Sequence, residues 1–136
     1  MSVRIKALTE RDAAAFGTEF SSSCSGFFAH PGAVAFGAFA DDRPVGLVWG
    51  FVLPRPDGER MFFLYSLDVA EPYRNRGIGT DLVKAVCAYA QNEGCRKLFL
   101  ITEESNPAAC RCYEKAGLMP KHPDDRLYER VFGGKM

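Results

Sequence analysis

Apolar and polar positions divide the chain into short segments with two kinds of periodicity. Residues 3–8 alternate Val, Ile and Leu with polar or small residues, a pattern typical of a half-buried edge strand. Apolar runs over residues 34–39, 45–53 and 61–69 predict three further strands, and the turn residues between them favour antiparallel hairpins. The run at residues 97–102 predicts a strand parallel to the third of these, because a helical segment separates the two.

Helical periodicity marks the segment after Gly77. Its apolar residues fall on one stripe of a helix that Gly94 closes: Ile78, Leu82, Val83, Val86 and Ala90. Asn106 followed by Pro107 predicts the start of another helix, which Gly117 ends. These two helices therefore flank the predicted parallel strand.

Three further segments complete the expected fold. Thr9 offers an N-cap, with Asp12 three residues later, for a first helix whose inward positions are Ala13, Phe16 and Phe20. Residues 21–26 are small and polar and predict a loop. Residues 118–120 and 127–132 predict two closing strands.

The element order predicts an α+β fold in one domain, residues 1–136. We expect a mixed, mostly antiparallel central sheet with one parallel strand pair and flanking helices. Gly46 and Gly50 interrupt an apolar strand pattern and predict a bulge or a close backbone approach.

Charge and cysteine content narrow the function class. The formal net charge is +0, which gives no electrostatic reason to expect nucleic acid or an anionic membrane as a partner. No apolar run reaches the length of a membrane span, and charged residues near the N-terminus exclude a signal peptide, so we expect a cytoplasmic protein. The 5 cysteines are odd in number and lack a Cys-x-x-Cys pair, so we expect them to be reduced and expect no metal site.

The junction between strand 61–69 and the following helix carries the strongest chemical signal. Arg74 and Arg76 directly precede Gly77 and Gly79. A helix N-terminus presents unpaired N–H groups and a partial positive charge, and glycines let a bulky anion approach that backbone. A phosphate or pyrophosphate is the natural occupant. The nucleotide-triphosphate loop is excluded because no lysine directly follows the second glycine; the next is Lys84. The dinucleotide fingerprint is excluded because its third glycine is missing.

The run Arg74-Asn75-Arg76-Gly77-Ile78-Gly79 resembles the acetyl-CoA signature of the GCN5-related N-acetyltransferase family. Asn106-Pro107-Ala108-Ala109 and Tyr113-Glu114-Lys115-Ala116-Gly117-Leu118 resemble the second cofactor motif of the same family. Together these motifs span about residues 60–120. The resemblance implies acetyl-CoA as co-substrate, with its pantetheine arm between two parallel strands that splay apart.

The resemblance also implies roles for individual residues. The expected cofactor-binding residues are Leu67, Asp68, Val69, Arg74, Asn75, Arg76, Gly77, Ile78, Gly79, Thr80 and Asn106. The N–H of Val69 is expected to stabilise the oxyanion of the tetrahedral intermediate, and Tyr113 to act as general acid toward the leaving thiolate. Asn106 is also explained as a helix N-cap alone.

The general base is less clearly marked. Members of the family often place a glutamate six residues before this valine, where the present chain has Phe63. Glu103 and Glu104, at the end of the next parallel strand, are the first candidates for the base. The other candidates are Glu59, Tyr65 and Asp68 acting through water.

We therefore expect acetyl transfer from acetyl-CoA to a primary amine of a small molecule, by direct attack in a ternary complex. Leu53-Pro54-Arg55 and residues 65–69 also resemble a subgroup of aminoglycoside 3-N-acetyltransferases, although Ser66 stands where that subgroup has aspartate. Alternatives are a protein or peptide acceptor, a non-catalytic acyl-CoA-binding module, and an unrelated α+β binding protein. The aromatic-rich hairpin favours a homodimer.

Overall fold

A computed structural model describes residues 2–16 and 24–134. Five strands form one sheet in the order β1-β2-β3-β4-β5. They are β1 (Val3–Ala7), β2 (Ala33–Ala40), β3 (Arg43–Pro54), β4 (Arg60–Val69) and β5 (Lys97–Phe99). The helices are α1 (Ser25–Ala29), α2 (Ile78–Asn92) and α3 (Pro107–Lys115), and two 3-10 helices cover Glu10–Phe16 and Glu71–Tyr73. Within the described residues, no helix is both long enough and apolar enough to cross a bilayer.

The sheet has the predicted mixed topology. Strands β1 to β4 pair antiparallel in sequence order, and β5 pairs parallel with β4. The β4–β5 pairing ends at Phe63 and Phe99, although β4 continues to Val69. The segments that follow this last pair therefore diverge. We call the gap between residues 64–69 and residues 100–105 the wedge. This confirms the expected α+β fold with a splayed parallel pair.

Two register shifts bend the middle of the sheet, as the glycines predict. Gly46 pairs with Ala38 where the β2–β3 register shifts, and Gly50 pairs with Leu64 where the β3–β4 register shifts. At the second shift Tyr65 is the extra residue on β4. A Cβ atom at Gly50 would overlap the carbonyl oxygen of Phe63, so only glycine allows this close approach.

The α2 side of the sheet holds an aliphatic core. Every residue of the predicted α2 stripe is buried, and the side chains packed with it include Phe62, Leu64, Val48 and Val52. The opposite side carries a smaller buried cluster of Leu8, Ala35, Phe39 and Leu47, against which Phe16, Phe27 and Trp49 pack. Helices α2 and α3 thus cover one side, and the first 3-10 helix and α1 cover the other.

The N-terminal predictions need correction in detail. The first helix is a 3-10 helix with Ala13 buried, and Phe20 lies outside the described residues. The Asp12 carboxylate accepts hydrogen bonds from the N–H and hydroxyl of Thr9, so the cap works through Asp12. The loop prediction for residues 21–26 is wrong at Ser25 and Gly26, which begin α1. The rest of that range is partly outside the described residues.

The two closing strands are also wrong. Residues 118–134 form neither helix nor strand, and Met119, Leu127, Tyr128 and Phe132 are exposed. A strand requires a paired neighbour, and propensity alone does not supply one. β5 itself ends at Phe99, three residues earlier than predicted, because pairing with β4 stops there.

Candidate active site

The turn before α2 is shaped by two residues with positive φ. Asn75 has φ of 63° and Gly77 has φ of 84°, so the chain turns sharply and enters α2 at Ile78. Gly77 is the N-cap and has no side chain to cap the helix, and its carbonyl accepts the N–H of Asp81. The N–H groups of the first turn of α2 precede that bond and need partners from outside the helix. This geometry is suited to an anion.

Gly79 has a separate reason to be glycine. A Cβ atom there would lie 2.9 Å from Sγ of Cys112 on α3 and 3.6 Å from a methyl group of Val69. The glycine therefore lets the N-terminus of α2 pack closely against both α3 and the end of β4. The sequence motif predicted close approach by an anion, and the structure shows close approach by a neighbouring helix.

A cleft of about 400 Å³ lies at the junction of β4, the turn, α2 and α3. The predicted cofactor-binding residues lining it are Leu67, Asp68, Val69, Arg74, Asn75, Gly77, Ile78, Gly79, Thr80 and Asn106. Arg76 is not among the lining residues. Its guanidinium carbon lies 5.6 Å from the ring centroid of Tyr73, which does line the cleft. The volume is in the range of small-molecule sites.

The wedge presents backbone groups of β4 to this cleft. The N–H of Ala70 donates to the carbonyl of Val45 on β3 at 2.8 Å. Because successive peptide groups of a strand point to opposite edges, the N–H of Val69 points away from β3 and toward the wedge. The carbonyl of Val69 accepts Nε–H of Arg74 at 2.7 Å, and a guanidinium nitrogen of Arg74 lies 3.7 Å from the Asp68 carboxylate. Arg74 thus closes the turn onto the end of β4.

Asn106 caps α3 as predicted. Its Oδ1 accepts the N–H of Ala109 at 3.3 Å, and Pro107 follows at the first helical position. Since Asn106 also lines the cleft, its side-chain amide group is beside the space that a ligand would fill.

Tyr113 lies on the core side of α3. Its side chain is partly buried against the aliphatic core, and it is the next residue after Cys112, which lines the cleft. Burial raises the pKa of Tyr113 above its ordinary value of 10.0, and the sulfurs of Cys112 and Cys110 raise it further. The phenol therefore keeps its proton at neutral pH.

Glu103 and Glu104 lie apart from the cleft lining. Both are exposed in the segment that follows β5. The carboxylate of Glu103 accepts the hydroxyl of Ser105 at 3.1 Å, and its carbonyl accepts the N–H of Asn106 at 3.0 Å. They sit on the far side of the wedge from β4, on the chain that leads into α3.

Six residues that line the cleft were not predicted to bind the cofactor, although Ala108, Ala109 and Lys115 lie within the second family motif: Tyr73, Ala108, Ala109, Arg111, Cys112 and Lys115. Arg111 and Lys115 are four residues apart on α3 and so share one helix face. That spacing was a readable signal once α3 was predicted. With the Arg74–Asp68 pair, these two cations leave the cleft positively charged, which suits a phosphorylated ligand.

The site combines a helix N-terminus, a splayed parallel strand pair and cations on the facing helix, an arrangement suited to a phosphorylated ligand. Comparison with protein families matches residues 5–118 to the acetyltransferase (GNAT) family. The chain belongs to this family.

Individual relatives match this chain over about half of its length. A mycothiol acetyltransferase of Corynebacterium efficiens is 32% identical over 76 residues, 56% of this chain and 24% of the relative. Human N-alpha-acetyltransferase 30 is 38% identical over 76 residues, 55% of this chain and 20% of the relative. The chain thus spans a quarter or less of these relatives.

Solved structures resemble the whole chain. An aminoglycoside acetyltransferase from an uncultured soil metagenomic sample, in complex with sisomicin, has a TM-score of 0.79 at 16% identity, covering 96% of this chain and 97% of that one. A ribosomal-protein-alanine N-acetyltransferase from Brucella melitensis has a TM-score of 0.76 at 26% identity, covering 96% and 100%. The first of these supports the fold alone.

Proposed function

We propose that the protein transfers an acetyl group from acetyl-CoA to a primary amine of a small molecule, in a ternary complex. The observation that carries the proposal is the cleft that joins the α2 N-terminus to the wedge. The pyrophosphate would lie on the turn at residues 74–80, near Arg111 and Lys115, and the pantetheine arm would run along the end of β4. The side-chain amide of Asn106, which lines the same cleft, would hydrogen-bond the arm.

The reaction balances without a covalent enzyme intermediate. The amine, once deprotonated, attacks the thioester carbonyl carbon; an N–C bond forms, the C–S bond breaks, and coenzyme A leaves as the thiolate. The N–H of Val69 would stabilise the oxyanion, a contribution of about 3 kcal/mol for one donor. Glu103 or Glu104 would take the first proton of the ammonium group, and Tyr113 would protonate the thiolate. The second N–H proton, lost as the amide forms, would return to the Tyr113 phenolate through solvent.

The direct test measures acetyl-CoA binding by calorimetry and acetyl-CoA-dependent thiol release across a panel of amines. We expect Tyr113→Phe to lower kcat by about a hundredfold and to leave the Kd for acetyl-CoA unchanged, because the phenol acts only on the leaving group. The matched control is Tyr128→Phe, which removes a hydroxyl from an exposed tyrosine. Equal kcat for wild type and Tyr113→Phe would reject Tyr113 as the acid.

A peptide amine is the second candidate acceptor. It is favoured by the similarity to N-alpha-acetyltransferase 30 and to the ribosomal-protein-alanine N-acetyltransferase. An aminoglycoside is favoured by the resemblance of Leu53-Pro54-Arg55 and residues 65–69 to the aminoglycoside acetyltransferase subgroup. Peptides with free N-termini and aminoglycosides therefore belong in the panel, and acetyl-CoA binding without turnover on any amine would favour a non-catalytic module.

A further inference from the structure

A continuous row of aromatic rings crosses the side of the sheet away from α2. Trp49 stacks on Tyr65 with centroids 4.6 Å apart, and Phe63 stacks on Phe99 at 4.9 Å. Tyr65 and Phe63 meet edge to face at 5.7 Å, which joins the two stacks. We call Trp49, Tyr65, Phe63 and Phe99 the aromatic row. Tyr65 is 54% exposed, and the other three are partly exposed.

Helix α1 and the neighbouring strand support one end of the row. Phe27 of α1 packs against Trp49 at 5.6 Å and against Phe51 at 5.5 Å, both edge to face. Trp49 and Phe51 also meet each other at 6.0 Å. These contacts hold the Trp49 ring in place without any ligand, so the row is a preformed surface.

The row lies at the apex of the wedge. Phe63 and Phe99 are the last paired residues of β4 and β5, and Tyr65 is the bulged residue two positions after Phe63. On the other side of the sheet α2 and α3 line the cleft that would hold the cofactor, and Cys112 meets Gly79 beside it. An amine that attacks a thioester held in the wedge must therefore come from the side of the aromatic row.

The chemistry of the row suits one kind of amine. A planar ring can stack on an exposed Tyr65 or Trp49, and an ammonium group is attracted to the faces of these rings. A cation already lies at one end of the row, where Nζ of Lys97 is 5.7 Å from the Phe99 centroid. The ring surface itself is uncharged, whereas a polycationic acceptor needs several carboxylates.

Few carboxylates beside the wedge are free to bind further ammonium groups, because Glu103 or Glu104 is assigned to take the proton of the attacking amine. Asp68 lies 3.7 Å from a guanidinium nitrogen of Arg74, and Glu59 lies 3.6 Å from one of Arg96. An aromatic surface with few free carboxylates favours a monoamine over a polyamine.

We infer that the acceptor is a small primary amine carried on an aromatic group, stacked on the aromatic row with its nitrogen directed into the wedge. This inference rests on the proposed acetyl transfer, and it names the acceptor class. It makes Tyr65, Trp49, Phe63 and Phe99 residues that determine specificity.

The test uses phenethylamine as probe, with 2-cyclohexylethylamine as a control of the same length that lacks the aromatic ring. Binding is followed by the fluorescence of Trp49, the single tryptophan of the chain, excited where phenethylamine does not absorb. Turnover is followed by thiol release with the same two amines, spermidine, kanamycin and a short peptide. Tyr65→Leu removes the exposed ring, and Tyr128→Leu is the matched control on an 82% exposed tyrosine.

We expect phenethylamine to bind and react about tenfold better than 2-cyclohexylethylamine, and Tyr65→Leu to remove this preference while Tyr128→Leu keeps it. A saturable Trp49 fluorescence response to phenethylamine that Tyr65→Leu abolishes supports the acceptor class. If this response is seen but no thiol is released, the proposed acetyl transfer is rejected and the binding preference is kept. Equal binding of the two amines overturns the inference. Turnover on spermidine, kanamycin or the peptide that is indifferent to Tyr65→Leu also overturns it, while acetyl transfer stands.

Discussion

The two sides of the sheet differ in residue type and in exposure. On the α2 side, Phe62, Leu82, Val83 and Val86 are 0% exposed, and they belong to a mostly aliphatic core. On the other side, the aromatic row leaves Tyr65 54% exposed. The α2 side, which we call the covered side because α2 and α3 pack on it, positions the turn, the cleft and Tyr113. The opposite side, which we call the open side, carries the aromatic row and presents a surface on which an acceptor can bind. Stability and specificity therefore depend on opposite sides of the same strands.

The sharpest test of this contrast compares two neighbours on β4 that point to opposite sides. Phe62→Ala should lower the free energy of unfolding by about 3–5 kcal/mol, because it empties the buried core. Phe63→Ala should cost about 1–2 kcal/mol, because its ring is only partly buried. Urea unfolding with matched m-values measures both. Equal losses would show that the two sides are packed alike.

Gly79→Ala probes the joint between the covered side and the cleft. The added Cβ would meet Sγ of Cys112 at 2.9 Å, so we expect a loss of about 1–3 kcal/mol and weaker acetyl-CoA binding. Removing the sulfur in Gly79→Ala with Cys112→Ala should restore much of the stability, since the contact to Cβ of Cys112 is 3.8 Å. Strict additivity of the two changes would contradict this packing.

Alkaline pH should weaken the covered side. Burial raises the pKa of Cys87 above 9.0 and that of Tyr113 above 10.0, so the folded state holds these protons more tightly than the unfolded state. Stability from these groups is complete below pH 9 and falls as the pH rises above their ordinary values. Unfolding midpoints of Tyr113→Phe should fall less between pH 8 and pH 11 than those of wild type. An identical fall in both proteins would show that Tyr113 does not contribute to the loss of stability at alkaline pH.

The smallest effect is expected outside both sides, in residues 118–134. Tyr128 is 82% exposed, so Tyr128→Ala should change the free energy of unfolding by no more than about 0.5 kcal/mol. Thermal and urea unfolding of this variant provide the measurement. A loss of about 2 kcal/mol would mean that this segment packs as the closing strand that the sequence pattern predicts.

The covered side was predictable because its signals are local. The period of Ile78, Leu82, Val83, Val86 and Ala90 placed the stripe of α2 correctly, and Asn106 with Pro107 placed the start of α3. The arginine and glycine motif placed the turn. In each case the residues that determine the structure are close together in sequence.

The open side was not predictable in the same way. The stack of Trp49 on Tyr65 depends on the β3–β4 register and on the bulge at Tyr65, and pairing between strands is a long-range property. The residues lining the cleft from α3 depend on how that helix packs against Gly79. The prediction of two C-terminal strands was wrong for the same reason, because residues 118–134 have no paired neighbour in the sheet.

The most direct test of the central claim is an amide NMR titration that reports both sides in one sample. Acetyl-CoA should shift the amide signals of Gly77 and Gly79 and leave the indole N–H signal of Trp49 nearly in place. Phenethylamine added to that complex should then shift the Trp49 indole signal. If acetyl-CoA moved the Trp49 signal and left Gly77 and Gly79 unchanged, the assignment of cofactor and acceptor to opposite sides would be wrong.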